Sequence, residues 1–371
     1  MNTPIEEHPY LLILSSCPGI GPIHAKKLLL SFGSARKCIE AKKIDWVQKG
    51  GLSSKQAKNL DSYRRTAIDA KKKDSEFYRK QGIHIISILD DNFPVRLKHW
   101  IDCPILLFTK GNIELNPLRT MAIIGTRKPS VMSLELTKKL IQECSQYNIT
   151  IVSGLAYGID ITAHRECIKL GIPTQAVLAH GLEQIYPKAH SSEARELQGN
   201  GGLITEMPLH TKIHPDLFLR RNRIVAGLCD AIVVIESKII GGSMSTAQIA
   251  RSYDREVFAF PGNPIQGHNS GCNALIKRNV AQLVESFDDI TKNMNWQLNS
   301  SHPEKQQIPL LPDLNEDEQL ILHALTGQAL HIDQLMKEIH IPLHRLTLST
   351  LELELKGIIK VLPGKYYQRL A

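Results

Sequence analysis

Between residues 81 and 300 the chain is a succession of short apolar runs, at 83–89, 105–108, 122–124, 150–153, 174–178, 202–205, 231–236 and 256–260. Met121-Ala-Ile-Ile124 typifies them: apolar at every position, without alternation, as expected of a parallel strand covered on both faces. From residue 121 onward, helical stretches separate most of these runs. The alternation predicts a doubly wound α/β sheet whose ligand crevice lies at the carboxyl ends of its strands. Residues 1–80 follow a different pattern of short helices punctuated by glycine. Leu11-Leu-Ile-Leu14 leads into Pro18-Gly-Ile-Gly21 and an amphipathic run ending at Phe32-Gly33, and Lys49-Gly-Gly-Leu-Ser-Ser-Lys55 repeats the theme. Residues 291–312, rich in Asn, Ser and Gln, read as a linker. Beyond it, Asn315 with Glu318 resembles a capping box for a helix that Gly327 ends. Helices at 331–339 and 343–356 follow, then a hairpin of 358–362 and 365–370 about Pro363-Gly364, which is the winged-helix order. The expected division is 1–80, 81–300 and 301–371.

Charge changes the picture at the two ends. Residues 1–80 hold 16 Lys/Arg against 8 Asp/Glu, whereas residues 312–371 hold 6 against 8. A basic N-terminal segment points to a polyanionic partner. The Pro18-Gly-Ile-Gly21 turn is similar to a helix-hairpin-helix, whose outward backbone N–H groups hold phosphates without reading sequence; a purely structural helical bundle is the alternative. Lys71-Lys-Lys73 reads as a solvated helix face. The third tail helix carries Glu352 and Glu354 and suits a protein partner better than phosphates. Seven scattered cysteines without a C-x-x-C pair favour neither a disulfide framework nor a zinc site. The absence of a basic, apolar leader and of a membrane-spanning run leads us to expect a cytoplasmic protein.

Candidate chemistry clusters at the predicted strand ends. Gly125-Thr126-Arg127 combines a glycine turn, a helix start and a guanidinium, a combination suited to an anion. Only one glycine stands where a dinucleotide fingerprint needs three, so no dinucleotide cofactor is expected. Asp160 and His164 share a helix face as an acid/base pair would, but we favour a structural role: Asp160 capping or pairing, His164 satisfying a backbone group. Lys188, after Tyr186-Pro187, either faces the crevice or is solvated. Phe218 with Arg220, Arg221, Asn222 and Arg223 suits a nucleic-acid strand, the arginines holding backbone and the ring stacking a base. The alternative is an arginine network tied to Glu206 and Asp230. Gly241-Gly242-Ser243 with Thr246 forms a phosphate-type loop at a helix start.

These motifs resemble, in order and over nearly the whole chain, the DNA-processing protein DprA (Smf) family. The likeness rests on Gly125-Thr-Arg127, Ser153-Gly154 with Gly158-Ile-Asp160 and Ala163-His164, Tyr186-Pro187, Phe218 with Arg221-Asn222-Arg223, Gly242-Ser243 with Thr246-Ala247, Pro261-Gly262-Asn263 and Gly271-Cys-Asn273. The resemblance implies an extended Rossmann-like domain between an N-terminal helix-hairpin-helix (SAM-like) domain and a C-terminal winged helix. It further implies sequence-independent binding of single-stranded DNA, protection of incoming strands and RecA recombinase loading in natural transformation, by a homodimer without cofactor, metal, catalysis or membrane partner. Strand-binding residues would be Gly125, Thr126, Arg127, Lys188, Phe218, Arg221, Arg223, Gly242 and Ser243. The chain departs from the family pattern at Leu219, at Asn279-Val280 and at Pro215, where a basic residue can stand. A phosphoribohydrolase-type enzyme is the competing reading, and it lacks a carboxylate in 243–250.

Overall fold

The computed structural model describes residues 3–265, 267–298, 314–326, 329–362 and 365–370, and the chain divides into two compact units, 1–299 and 300–371. The first unit opens with five helices: α1 (His8–Ser16), α2 (Pro22–Phe32), α3 (Ala35–Glu40), α4 (Lys43–Gln48) and α5 (Ser54–Lys80). Gly19 and Gly33, at φ 82° and 73°, supply the left-handed turns on either side of α2. Contrary to the expectation of short helices, α5 runs for 27 residues. A capping box between Ser53 and Gln56 starts it, and no glycine or proline interrupts it. Ion pairs along it include Asp61–Arg64 and Lys71–Asp74; of the lysine run, Lys72 and Lys73 are exposed as a solvated face requires, whereas Lys71 is largely buried against Asp74.

There follow β1 (His84–Ser87), α6 (Val95–Lys98), β2 (Leu106–Gly111), β3 (Arg119–Ile124), α7 (Val131–Cys144), β4 (Ile149–Ser153), α8 (Ile159–Leu170) and β5 (Thr174–Val177). The unit continues through α9 (Ser191–Glu196), β6 (Gly201–Thr205), α10 (Pro215–Leu228), β7 (Ala231–Val234), α11 (Gly242–Ser252), β8 (Glu256–Ala259), α12 (Ser270–Lys277), β9 (Gln282–Leu283) and α13 (Phe287–Met294). Every apolar run named above becomes a strand. β9 is added at one edge, two residues long and too short for periodicity to reveal.

The strands form one sheet in the order β1-β2-β6-β5-β4-β3-β7-β8-β9. The seven from β6 to β9 are parallel, and β2 and β1 extend the other edge antiparallel. The chain leaves β3 towards β4, β5 and β6, then returns to lay β7 on the opposite side of β3. That reversal is the topological switch point, where loops part and leave a crevice. Both faces are covered, as the unbroken apolar runs require. Met121 and Ile123 of β3 pack with Leu140, Ala163 and Ile290 on one face; Ala122 and Ile124 pack with Val225 and Ala247 on the other. The second cluster also takes in Leu11–Leu14, Leu28 and Leu60, so the opening helices and the sheet share one core. Tyr78, at the end of α5, stacks on Phe108 of β2 at 4.7 Å, and its hydroxyl accepts a hydrogen bond from the Leu209 N–H at 2.8 Å.

The second unit contains α14 (Glu316–Ala324), β10 (Leu330–His331), α15 (Ile332–Ile339), α16 (Leu343–Leu355), β11 (Ile359–Leu362) and β12 (Tyr366–Arg369). The Asn315–Glu318 capping box forms, and the strands pair as β10-β12-β11, a winged helix with one strand more than the hairpin expected. Residues 299–312 of the expected linker, Gly327 and Pro363-Gly364 lie outside the described residues; the part of that linker nearest the sheet is instead the end of α13. Among the described residues no helix is long and apolar enough to cross a membrane, and all seven cysteines are free and buried.

Candidate nucleic-acid interface

A cleft of about 600 Å³ opens at the carboxyl ends of β3 and β7. Gly125, Thr126 and Arg127 follow β3 into it, Gly154 and Ala156 follow β4, and the loop after β7 contributes Ser237 to Ser243. α10 forms a wall with Phe218, Arg221 and Asn222, and Tyr186, from the loop after β5, stands at the rim. Two glycines permit this close approach. A Cβ on Gly125 would fall 2.6 Å from the Ile159 side chain, and one on Gly158, at φ +81°, 2.3 Å from the Thr126 carbonyl oxygen. The first turn of α8 therefore lies directly against the Thr126–Arg127 backbone, with the Ile159 N–H donating to the Thr126 carbonyl at 3.2 Å.

The helix start after Arg127 is not the anion site that the glycine turn suggested. Ser130 caps α7, and the Glu236 carboxylate accepts from the Ser130 N–H at 2.9 Å and from its hydroxyl at 2.8 Å. Burial works to raise the pKa of Glu236, but hydrogen bonds from Ser133 and Ser130 outweigh it and hold the carboxyl below its ordinary range. The protein's own carboxylate thus occupies that helix start. The amino end of α11 differs: no side chain caps it, and Gly241, Gly242 and Ser243 line the cleft. Asn222 donates to the Gly242 carbonyl at 3.3 Å, and the hydroxyls of Ser237 and Ser243 lie 2.8 Å apart, which together position the loop. Behind it, Asn269 accepts from the Ser237 N–H, and Gly271 N–H donates to the Ser237 carbonyl. The asparagine-rich turns therefore buttress the cleft.

The arginines divide into two kinds. Arg127 is exposed, has no carboxylate within ion-pair reach among the described residues, and holds its guanidinium 5.6 Å from the Phe218 ring centre. Phe218 in turn meets Tyr186 edge-on at 5.8 Å. Arg221 is only 6% exposed, yet it too has no carboxylate at ion-pair distance among the described residues. Its Nη1 donates to the Gly154 carbonyl at 2.8 Å and to that of Val177, and its Nε to Asn222 at 3.2 Å. Burial lowers its pKa and the field of Asp160 opposes that, but a guanidinium stays charged. A buried cation satisfied only by neutral acceptors, at the floor of a cleft, favours an incoming anion. Gly154 is what admits it, since a Cβ there would lie 2.4 Å from the guanidinium.

Arg223 instead points away from the cleft lining, ion-paired with Glu206 and donating to the Asp102 carbonyl. Arg220 also pairs with Glu206, at 3.2 Å, so that half of the expected network forms; Asp230 pairs with Arg96 at 2.7 Å instead. Lys188 is exposed on a 3-10 turn, Lys188–His190, outside the cleft lining. Asp160 accepts from the Gly154 N–H at 3.1 Å and holds the loop after β4. His164 is fully buried beside Thr174 at 2.8 Å, its partner a hydroxyl and not the backbone group expected, and burial with the Arg221 and His190 charges lowers its pKa to about 3. Asp160 and His164 are structural. Sequence reasoning passed over Tyr186 by weighing Lys188 in the same tripeptide; an aromatic beside a candidate cation was the available signal.

Comparison with known proteins accords with this arrangement. The family model described as DNA recombination-mediator protein A matches residues 84–295, and that of the DprA winged helix domain matches 304–365. The DNA processing protein DprA of Streptococcus pneumoniae is 40% identical over 210 residues, 55% of this chain and 72% of that one. Protein Smf of Escherichia coli is 31% identical over 332 residues, 86% of each chain. The X-ray structure of the S. pneumoniae protein aligns with a TM-score of 0.68 at 30% identity, covering 80% of this chain and all of that one. A structure of DNA processing protein A from Helicobacter pylori, described for its single-stranded DNA binding mode, aligns with a TM-score of 0.53 at 27% identity over 58% of this chain and 97% of that one. With more than half of its length matched by the family model and a relative matched nearly end to end, the chain belongs to the DNA recombination-mediator protein A (DprA/Smf) family.

Proposed function

We propose that the cleft binds single-stranded DNA without regard to sequence, and that the chain protects incoming strands and loads them onto RecA recombinase in natural transformation, as a cytoplasmic homodimer without catalytic activity. The observation that carries this reading is the pair of guanidiniums, Arg127 and Arg221, without carboxylate partners among the described residues, beside an aromatic ring and the uncapped start of α11. Gly125, Thr126, Gly242 and Ser243 let backbone approach backbone, Phe218 offers a stacking face, and neither contact distinguishes bases. Lys188 would reach phosphates only beyond the cleft, and Arg223 supports the wall. The H. pylori relative's description supports the choice of ligand. A phosphoribohydrolase-type reaction needs a carboxylate that residues 243–250 do not supply, while Asp160 is engaged in holding the Gly154 loop.

The test is binding of oligo-dT, by anisotropy, to the wild-type protein and to Arg127→Ala and Phe218→Ala. Each substitution should cost about 1–3 kcal/mol, Phe218→Ala equally for all bases. Affinity should fall with salt with a slope of roughly −0.7 per neutralised phosphate. Salt-insensitive binding, or full affinity in Arg127→Ala, contradicts the proposal. A thermal-shift screen in which nucleotides stabilise and oligo-dT does not would favour the enzyme, and RecA filament nucleation on coated strands tests the handover.

A further inference from the structure

Two tyrosines beside the cleft have no evident structural use for their exposure. Tyr157, in the loop after β4, is 48% exposed, and Tyr186, in the loop after β5, is 45% exposed. Both lie at the carboxyl edge of the sheet. Tyr157 sits between Ala156, which lines the cleft, and Gly158, whose backbone packs on Thr126 and Arg127. Its ring meets His190 at 4.7 Å in an edge contact, and His190 is anchored by its Nδ1 on the Leu155 carbonyl at 2.8 Å. The turn that ends at His190 begins at Lys188, two residues after Tyr186. Tyr186 in turn leans edge-on against Phe218. From the half-buried Phe218, exposed side chains therefore continue through Tyr186 and Lys188 to Tyr157. Both contacts are edge-to-face and not stacked, and each tyrosine keeps nearly half of its surface exposed.

We propose that Tyr186, Lys188 and Tyr157 form a second subsite for single-stranded nucleic acid, prolonging the cleft along the ends of β5 and β4. The tyrosines take nucleobases against their rings and Lys188 takes the phosphate between them. This inference rests on the strand-binding reading above. Aromatic faces interleaved with a free cation match the alternation of base and phosphate along an extended strand. Lys188 has no carboxylate within ion-pair reach among the described residues, so its charge is available to a polyanion.

The experiment measures oligo-dT affinity against length for the wild-type protein and for Tyr157→Ala, Tyr157→Phe and Tyr186→Ala. Tyr157→Ala should bind the shortest detectable strands as wild type does and lose about five- to hundredfold on longer ones. Tyr157→Phe should restore the loss, because stacking needs the ring and not the hydroxyl. Tyr186→Ala should weaken binding at every length, since its ring also backs Phe218. A strand whose outer residues are abasic should bind wild type and Tyr157→Ala alike. An unchanged length dependence in Tyr157→Ala, or no rescue by phenylalanine, overturns the subsite while leaving the cleft intact. Failure of the wild-type protein to bind any strand overturns the cleft reading and this one together.

Discussion

Arg221 and Arg223 stand two positions apart on α10 and serve opposite ends. One leaves its charge to the cleft; the other spends it on Glu206, buried inside the wall. Arg223→Ala would leave the Glu206 carboxylate buried with only Arg220 beside it. It should cost about 3–5 kcal/mol of stability, read by chemical denaturation, while the remaining folded protein keeps its strand affinity. A stable variant with lost affinity would return Arg223 to the DNA contacts. His164 carries a pH dependence. Its ordinary pKa of 6.5 falls to about 3 in the folded protein, so between these values the unfolded chain binds the extra proton. Stability should therefore fall as pH drops below 6.5, by about 2 kcal/mol at pH 5 from this group. Asp160 acts in the opposite sense, its folded pKa being raised by burial, so the contribution of His164 is read as the difference between wild type and His164→Gln. Equal acid sensitivity of the two proteins would contradict the assignment. The spacing of Asp160 and His164 was legible in the sequence; their partners, Gly154 and Thr174, come from other elements and were not.

At the scale of elements, apolar runs reported strands faithfully because both faces of the sheet are buried, leaving no polar alternation to confuse them. Edges escaped that logic. β9 is two residues long, and the antiparallel placement of β2 against β6 depends on a partner nearly a hundred residues away. The length of α5 was hidden because its apolar positions are sparse and its stability comes from a cap, ion pairs and docking of its far end. That docking predicts the effect of Tyr78→Ala: loss of the Phe108 stack and of the partner of the Leu209 N–H, at about 3–5 kcal/mol, measured as a lowered denaturation midpoint. An unchanged midpoint would show the opening helices to be energetically separate from the sheet. With a shared core, removing residues 1–80 strips the sheet of packing. The expected role of the Pro18-Gly-Ile-Gly21 turn in holding phosphates is better tested by substitutions in the turn.

On the scale of the whole molecule, charge separates the ends of the chain. The first 80 residues carry an excess of eight basic groups, while the winged helix is slightly acidic. On α16, Glu352 and Glu354 stand with the exposed Leu348, Leu351 and Leu355, a surface that repels phosphate. If the proposed function holds, a chain ending at residue 299 should accordingly keep the proposed single-strand binding and RecA loading. Anisotropy and filament nucleation on full-length and truncated protein, side by side, decide it. Loss of strand binding on truncation would make the winged helix the reader.

The sequence by itself determined the layered α/β sheet, the winged-helix order and the strand ends where chemistry gathers. Apolar periodicity, caps and glycine turns are local properties, and local properties survive in a linear reading. Only the tertiary structure decided which charges are free. Whether Arg127, Arg221 or Arg223 meets a carboxylate depends on residues brought together from distant strands. That Glu236 fills one helix start while α11 stays open follows from the same long-range packing, for which one-dimensional spacing carries no signal.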